Sequence, residues 1–123
     1  MGRSRRRGTI LVVDDEVEFH MLIQAIFSHT HDVDGATTVE HALQILKQKQ
    51  RYIDVILLDI RLPGRDGWDL MRILSKRRDM PPIIVITADK KQQYIVQAER
   101  LGATYTLFKP IVPSQLRKLV MML

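Results

Sequence analysis

The sequence contains no cysteine, which excludes disulfides, thiolate metal sites and cysteine nucleophiles. It also lacks long apolar runs. No segment approaches the ~20 consecutive apolar residues that span a bilayer. The basic start MGRSRRRG is followed only by Ile10 to Val13 before Asp14-Asp15-Glu16, too little for the apolar part of a signal peptide. The expected address is therefore the cytoplasm, with no membrane partner. Neither a G-x-G-x-x-G fingerprint nor a G-x-x-x-x-G-K-[ST] loop occurs, which argues against a nucleotide enzyme. The histidines, His20, His29, His31 and His41, form no i, i+4 pair and read as surface residues, not as metal ligands or phosphodonors. No internal repeat or interdomain linker is visible.

What is present fits one domain. The chain has 123 residues, 46% of them hydrophobic and 27% charged, an ordinary globular balance with apolar material for one core. Its net charge of +5 is unevenly placed. Arg3, Arg5, Arg6 and Arg7 supply four of nineteen basic groups; without them fifteen face fourteen acidic ones, a net charge of +1. The expected division is a basic N-terminal tail over 1–8 and a nearly neutral folded domain over 9–123. A tail of this kind can touch phosphates or be a solvated terminus, and nucleic acid is not the expected partner of the folded part.

The apolar pattern changes period along the chain. Thr9–Val13, Ile53–Leu58 and Ile83–Thr87 are short runs rich in β-branched residues, apolar on both faces, as strands buried between two helical layers are. Weaker strands fit Asp32–Ala36 and Thr104–Phe108. Between them Phe19, Leu22, Ile23, Ile26 and Phe27 make one helical stripe, and Val39, Ala42, Leu43 and Leu46 a second. Leu70, Met71 and Leu74, then Ile95, Ala98 and Leu101, then Leu116, Leu119 and Val120 make three more. The fourth helix should stop at Gly102 and the fifth start at Pro113. Five βα units with right-handed crossovers give a doubly wound α/β parallel sheet, whose ligand crevice lies beyond the carboxyl ends of its strands.

The stretch VILLDIRLPGRDGWDL (55–70) carries the chemistry. Asp59 ends an apolar strand, and a charge at the rim of a core is costly unless something pairs with it. Asp14 and Asp15 follow strand one, Thr87 ends strand four and Lys109 follows strand five, so all reach the same crevice. Three carboxylates together repel and raise one another's pKa. A divalent cation and a lysine can hold them ionised, and oxygen ligands without sulfur suit Mg²⁺. A carboxylate beside a metal, an ammonium and the Thr87 hydroxyl is equipped to attack phosphorus.

The stretches ILVVDDE, VILLDIRLPGRDG, VITA and GATYTLFKP resemble the receiver domain of two-component response regulators, from about Thr9 to the end of the chain. The resemblance implies a five-stranded parallel sheet in the flavodoxin-like order 2-1-3-4-5 with helices on both faces. It implies that Asp59 accepts a phosphoryl group from a histidine kinase or a histidine phosphotransfer protein. Asp14, Asp15, Asp59 and the backbone carbonyl of Arg61 would hold Mg²⁺. Lys109 would contact phosphoryl oxygens, Thr87 would swing toward them, Ala88 would leave room for them, and Lys109-Pro110 would be cis. The output would be a downstream protein or an attached output domain, the protein a monomer or a phosphorylation-dependent dimer. It would turn over no outside substrate and so not be an enzyme.

The sequence also departs from the family. An aromatic usually stands three residues before the lysine; here that position is Thr106, with Tyr105 one place earlier. Strand alternation predicts Tyr105 on the opposite face. Thr104-Tyr105 replaces the acidic pair that often precedes the aromatic, which weighs against dimerisation through helix four, strand five and helix five. Arg61 and Asp89, each two residues beyond a site residue, are expected to pair across the crevice and screen a phosphoryl group from water. Two rivals stand beside this reading. A phosphatase of the haloacid dehalogenase type needs a second carboxylate where Arg61 stands, and a phosphate-independent receiver-like interaction module needs no complete acidic set. Asp14 and Asp15 as mere helix caps, Gly64 and Gly67 as turn glycines, and Trp68 and the methionines as packing are the plainer alternatives. Lys90, Lys91, Tyr94, Arg117 and Lys118 are expected on a solvated face.

Overall fold

The computed structural model describes residues 7–62 and 66–123; the Pro63-Gly64 turn and the tail residues Arg3, Arg5 and Arg6 lie outside them. Strands and helices alternate in the order β1 (Gly8–Val13), α1 (Val17–Phe27), β2 (His31–Ala36), α2 (Val39–Lys49) and β3 (Ile53–Asp59). They continue as α3 (Gly67–Ser75), β4 (Ile83–Thr87), α4 (Gln92–Arg100), β5 (Tyr105–Phe108) and α5 (Pro113–Met121), with a 3₁₀ turn at Gln50–Tyr52 before β3. The strands form one parallel sheet in the order β2-β1-β3-β4-β5, the doubly wound α/β arrangement expected.

Strand alternation divides the core into two layers. Leu11, Val13, Ile56, Leu58 and Val85 face one side, where they meet Leu46, Leu70, Met71, Leu74 and Ala98 from α2, α3 and α4. Ile10, Val12, Val55, Leu57, Ile84 and Ile86 face the other, against Ile23, Phe27, Leu116 and Val120 from α1 and α5. Each such valine, leucine, isoleucine, methionine or phenylalanine contributes ~1.5–3 kcal/mol on full burial, so the three central strands are the anchor of the fold. Thr38 and Asp66 cap α2 and α3 by accepting the amides of His41 and Asp69, and Pro113 opens α5 as its sequence suggests. Gly102, at φ +98°, follows α4 in the left-handed conformation that only glycine adopts freely.

Several details differ from the sequence pattern. Leu22 is 41% exposed, so the buried stripe of α1 is narrower than five residues and centres on Ile23 and Phe27. β1 starts at Gly8, and Arg7 is tied down: Nη2 donates to the carbonyls of Ser28 and His31 (both 2.8 Å), and Nε lies 3.7 Å from Asp32. The β1–β3 register shifts between Thr9 and Ile10, and there the Asp54 carboxylate accepts the Thr9 amide at 3.1 Å. His29 and His41 are exposed as expected, but His20 and His31 are half-buried. Burial pushes the His31 pKa down, opposed by the Asp54 charge, while its ring meets Phe27 edge-on at 5.4 Å. Tyr94 is not on the solvated face: it packs edge-on against Trp68 at 5.6 Å and against the α2–α4 core layer. Lys90, Lys91, Arg117 and Lys118 are exposed.

Candidate functional site

The carboxyl ends of β1, β3, β4 and β5 bring Asp14, Asp59, Thr87 and Lys109 to one crevice, and backbone pairing explains why. The Asp14 amide donates to the Ala36 carbonyl at 3.0 Å, which extends the β1–β2 ladder one residue past the strand. Asp59 is the last residue of β3, and the Gly67 amide at the start of α3 donates to the Ile60 carbonyl at 2.8 Å. Gly67 is more than a turn glycine. A Cβ there would press into the Ile60 backbone and lie 2.7 Å from the Asp59 carbonyl oxygen, so α3 closes on the end of β3 only without a side chain. The Lys109 amide donates to the Thr87 carbonyl at 2.9 Å, holding the end of β5 to that of β4.

The side chains form a charged cluster that is mostly out of water. Asp14 is 0% exposed and Asp59 8%. Lys109 Nζ donates to Asp14 Oδ2 at 2.7 Å, to Asp59 Oδ2 at 3.2 Å and to Glu16 Oε1 at 3.3 Å. The other carboxylate oxygens accept backbone amides, Glu16 to Asp14 Oδ1 and Arg61 to Asp59 Oδ1, each at 2.8 Å. The Asp14 carboxylate therefore bonds the amide of Glu16, which precedes α1, and does not act as an ordinary helix cap.

One ammonium serves three carboxylates, and the two partners titrate accordingly. Burial alone would lower the Lys109 pKa, but hydrogen bonds to Asp14 and the charges of Asp59 and Asp14 outweigh it, so the ammonium is held well above its ordinary range. Asp59 is pushed up from the ordinary carboxylate value, first by burial and further by the Asp14 charge, against the Arg61 amide and Lys109. Lys109 is held up by the acid around it, whereas Asp59 is raised first because its carboxylate is drawn out of water, and the ammonium that would offset this is shared with Asp14.

That deficit of positive charge makes the cluster a fit for a divalent cation. Asp14, Asp15 and Asp59 each present a carboxylate oxygen, all within 4.8 Å of one another. The donors are hard oxygens, no cysteine or histidine is among them, and Asp15 is exposed at the crevice mouth, as suits a hydrated ion such as Mg²⁺. The Arg61 peptide lies at the same carboxylate through its amide.

The rim is built by the β4–α4 and β5–α5 connections. Thr87 is 0% exposed and its hydroxyl accepts the Asp89 amide at 3.1 Å. Arg61 Nη2 reaches Asp89 Oδ2 at 2.8 Å, with Lys91 Nζ 3.8 Å from the same oxygen. The Arg61 side chain is 67% exposed and that of Asp89 only 16%. Ala88 is exposed between them, and the Lys109-Pro110 peptide is cis. Tyr105 packs against the α1–α5 core layer, the face that alternation predicts, and Thr106 pairs with Val85 in register and is half-buried.

Three contributors are invisible in the sequence pattern. Glu16 is the third acceptor of Lys109, and Phe19 lies under the ammonium, 4.5 Å from Nζ to its ring centroid, within cation–π range. His20 Nε2 sits 2.6 Å from the Asp14 carbonyl oxygen. All come from α1 or the residue before it, and their reach is a matter of helix rotation, which the periodicity leaves open.

Among known proteins, a family model for the response regulator receiver domain matches residues 10–121. The chain is 32% identical to the response regulator protein PilR of Pseudomonas aeruginosa over 115 residues, 93% of this chain and 25% of that protein. It is 36% identical to the transcriptional regulatory protein KdpE of Staphylococcus aureus over 111 residues, 88% of this chain and 46% of that protein. The chain thus spans less than half the length of either relative. Among solved structures, a response regulator from Chloroflexus aurantiacus superimposes with TM-score 0.85 at 26% identity, covering 95% of this chain and 97% of that one. A CheY-like receiver domain from Methanospirillum hungatei gives 0.86 at 24% identity, covering 95% and 93%. With the match running over almost the whole folded chain, this chain belongs to the receiver-domain family of two-component response regulators.

Proposed function

We propose that this domain is a phosphorylation-activated switch in which Asp59 is the phosphoacceptor. The carrying observation is the cluster itself: a nearly buried Asp59 carboxylate that shares Lys109 with Asp14, within one ion's reach of Asp14 and Asp15. An Asp59 oxygen attacks the phosphorus of a phosphohistidine on a kinase or phosphotransfer protein. The O–P bond forms as the N–P bond breaks, and its electron pair returns to the imidazole nitrogen. Mg²⁺, held by Asp14, Asp15, Asp59 and the Arg61 carbonyl, supplies charge neutralisation on the transferring group when bound. Lys109 keeps its 2.7 Å bond to Asp14 and turns its remaining donors to the new phosphoryl oxygens, the electrostatic share of the work.

The switch follows from what the added charge can bond. A phosphoryl group brings strong acceptor oxygens, and the Thr87 hydroxyl is a neutral donor at the end of β4. Its O–H is free to donate, but rotating the side chain toward phosphate carries its oxygen away from the Asp89 amide that it now accepts, so the β4–α4 connection moves. Phosphate shifts that balance only through such differential contacts. With Thr106 where the family carries an aromatic and Tyr105 packed on the α1–α5 layer, the movement would not run through an aromatic on β5. The domain would alter a downstream protein or an attached output domain, in the cytoplasm, as a monomer or phosphorylation-dependent dimer, without turning over an outside substrate.

Incubation with acetyl phosphate and MgCl₂ followed by intact mass tests this directly. One phosphoryl increment is expected on the wild type and none on Asp59→Asn. Absence of the increment, with normal folding, would favour the phosphate-independent interaction module to which Thr106 points.

A further inference from the structure

We infer that His20 is a positioning residue for the acidic turn after β1, and that Gly35 is a glycine to make room for its ring. The inference deepens the reading above, since it rests on Asp14 and Asp15 holding a divalent cation. Among the described residues no hydrogen bond or ion pair holds the Asp15 carboxylate, so its direction is set by the backbone that carries it. The decisive unit is the peptide between Asp14 and Asp15. On one side, Asp14 is fixed by its amide on the Ala36 carbonyl and by its carboxylate between Lys109 and the Glu16 amide. On the other, the plane of the Asp14–Asp15 peptide is held by its carbonyl oxygen, 2.6 Å from His20 Nε2. A carbonyl only accepts, so Nε2 carries the proton, as it does in the Nε2–H tautomer and in the imidazolium.

The opposite edge of the ring explains a second residue. Gly35 lies in β2 and pairs in register with Val12. Among the described glycines only Gly102 has a positive φ, so backbone conformation does not require glycine at 35. Space does: a Cβ built there would collide with His20 Nδ1 and lie 2.8 Å from Cε1. An alanine at 35 would push the ring off the Asp14 carbonyl.

Titration of ¹⁵N-labelled protein with MgCl₂, followed by amide shifts, reads this through ion affinity without phosphorylation, and the same spectra show that each variant is folded. Loss of one hydrogen bond predicts roughly 3–10-fold weaker Mg²⁺ binding for His20→Ala. His20→Gln, whose side-chain amide can donate to the same oxygen, should recover most of it. Gly35→Ala should weaken the wild type, yet cost nothing further in His20→Ala, because the two substitutions break one contact. Wild-type affinity in His20→Ala, or losses for His20→Ala and Gly35→Ala that add, would overturn the inference. So would a His20→Gln as weak as His20→Ala, which would mean that the ring only fills space. A wild type that binds no Mg²⁺ would remove the reading beneath it as well; a wild type that binds while His20→Ala binds equally removes only the inference.

Discussion

Replacing Lys109 by methionine keeps an unbranched stem over Phe19 and removes the ammonium that bonds both Asp14 and Asp59. In the wild type that ammonium stands 2.7 Å from a carboxylate with no exposed surface and 3.2 Å from one whose side chain is 10% exposed. Stripping one partner from a buried ion pair costs ~3–5 kcal/mol, because the remaining charge stays desolvated. The contact with Glu16 adds little, since that side chain is 63% exposed and such pairs are worth ~0–1 kcal/mol. Two effects pull toward the low end: burial of Lys109 itself is relieved, and Asp59, already raised in pKa by burial, can take up a proton. The expected loss is ~3 kcal/mol in EDTA at neutral pH. With a urea dependence of ~2 kcal/mol/M, that moves the midpoint by about 1.5 M, and the melting temperature by roughly 10 °C.

Urea unfolding followed by fluorescence of Trp68, the single tryptophan, measures this. Two internal controls separate electrostatics from packing. Saturating Mg²⁺ should stabilise Lys109→Met more than it stabilises the wild type, because an ion that binds only the folded state adds stability as its affinity rises and the orphaned carboxylates gain most from it. Lowering the pH should also shrink the difference between the two proteins, since protonated carboxyls need no cation. A loss under ~1 kcal/mol in EDTA, or one unaffected by both Mg²⁺ and acid, would refute the view that Lys109 compensates two buried charges.

Arg61→Ala should change stability by no more than ~1 kcal/mol, its side chain being 67% exposed, yet hasten loss of the phosphoryl group by opening the Arg61–Asp89 rim; an unchanged decay of radiolabelled protein would end that idea. For Asp59 the sign of the pH dependence is fixed by its raised pKa. The folded state holds its proton more tightly than the unfolded chain, so in EDTA the contribution of Asp59 to stability falls as pH rises from the ordinary value of 3.8 through the folded-state value, and that deficit persists above it. Asp59→Asn should lack this decline and be the more stable protein at neutral pH; a wild type that gains from ionising Asp59 over the same window would contradict the burial argument.

Much of the architecture could be read from the chain because two properties of a parallel sheet are written locally. Runs apolar on both faces, as in Ile53–Leu58 and Ile83–Thr87, mark strands covered by helices on each side, and the polar residue that ends such a run must emerge at the carboxyl edge. Asp59 and Thr87 were legible for that reason, and Asp14 and Lys109 because each immediately follows a strand. The same logic fails for residues brought in by helix rotation. Leu22 continues the apolar stripe of α1 but is left 41% exposed, whereas His20 turns inward to the Asp14 carbonyl. One turn of helix presents both, and which is buried depends on how α1 docks against the β2 edge, a relation between segments that the local pattern does not encode.

Glycine shows the same limit from the other side. Gly102 is legible, since a glycine after a helical stripe marks the left-handed position that ends a helix. Gly35 and Gly67 obey no local rule. Each is small because of what approaches it from a distance, the His20 ring in one case and the backbone of Ile60 and Asp59 in the other. Each leaves room for a neighbour of the acidic crevice: the His20 ring that reaches the Asp14 carbonyl, and the strand end that presents Asp59. The carboxylates carry the proposed chemistry, while the absent side chains at 35 and 67 leave room for the groups that set where those carboxylates stand.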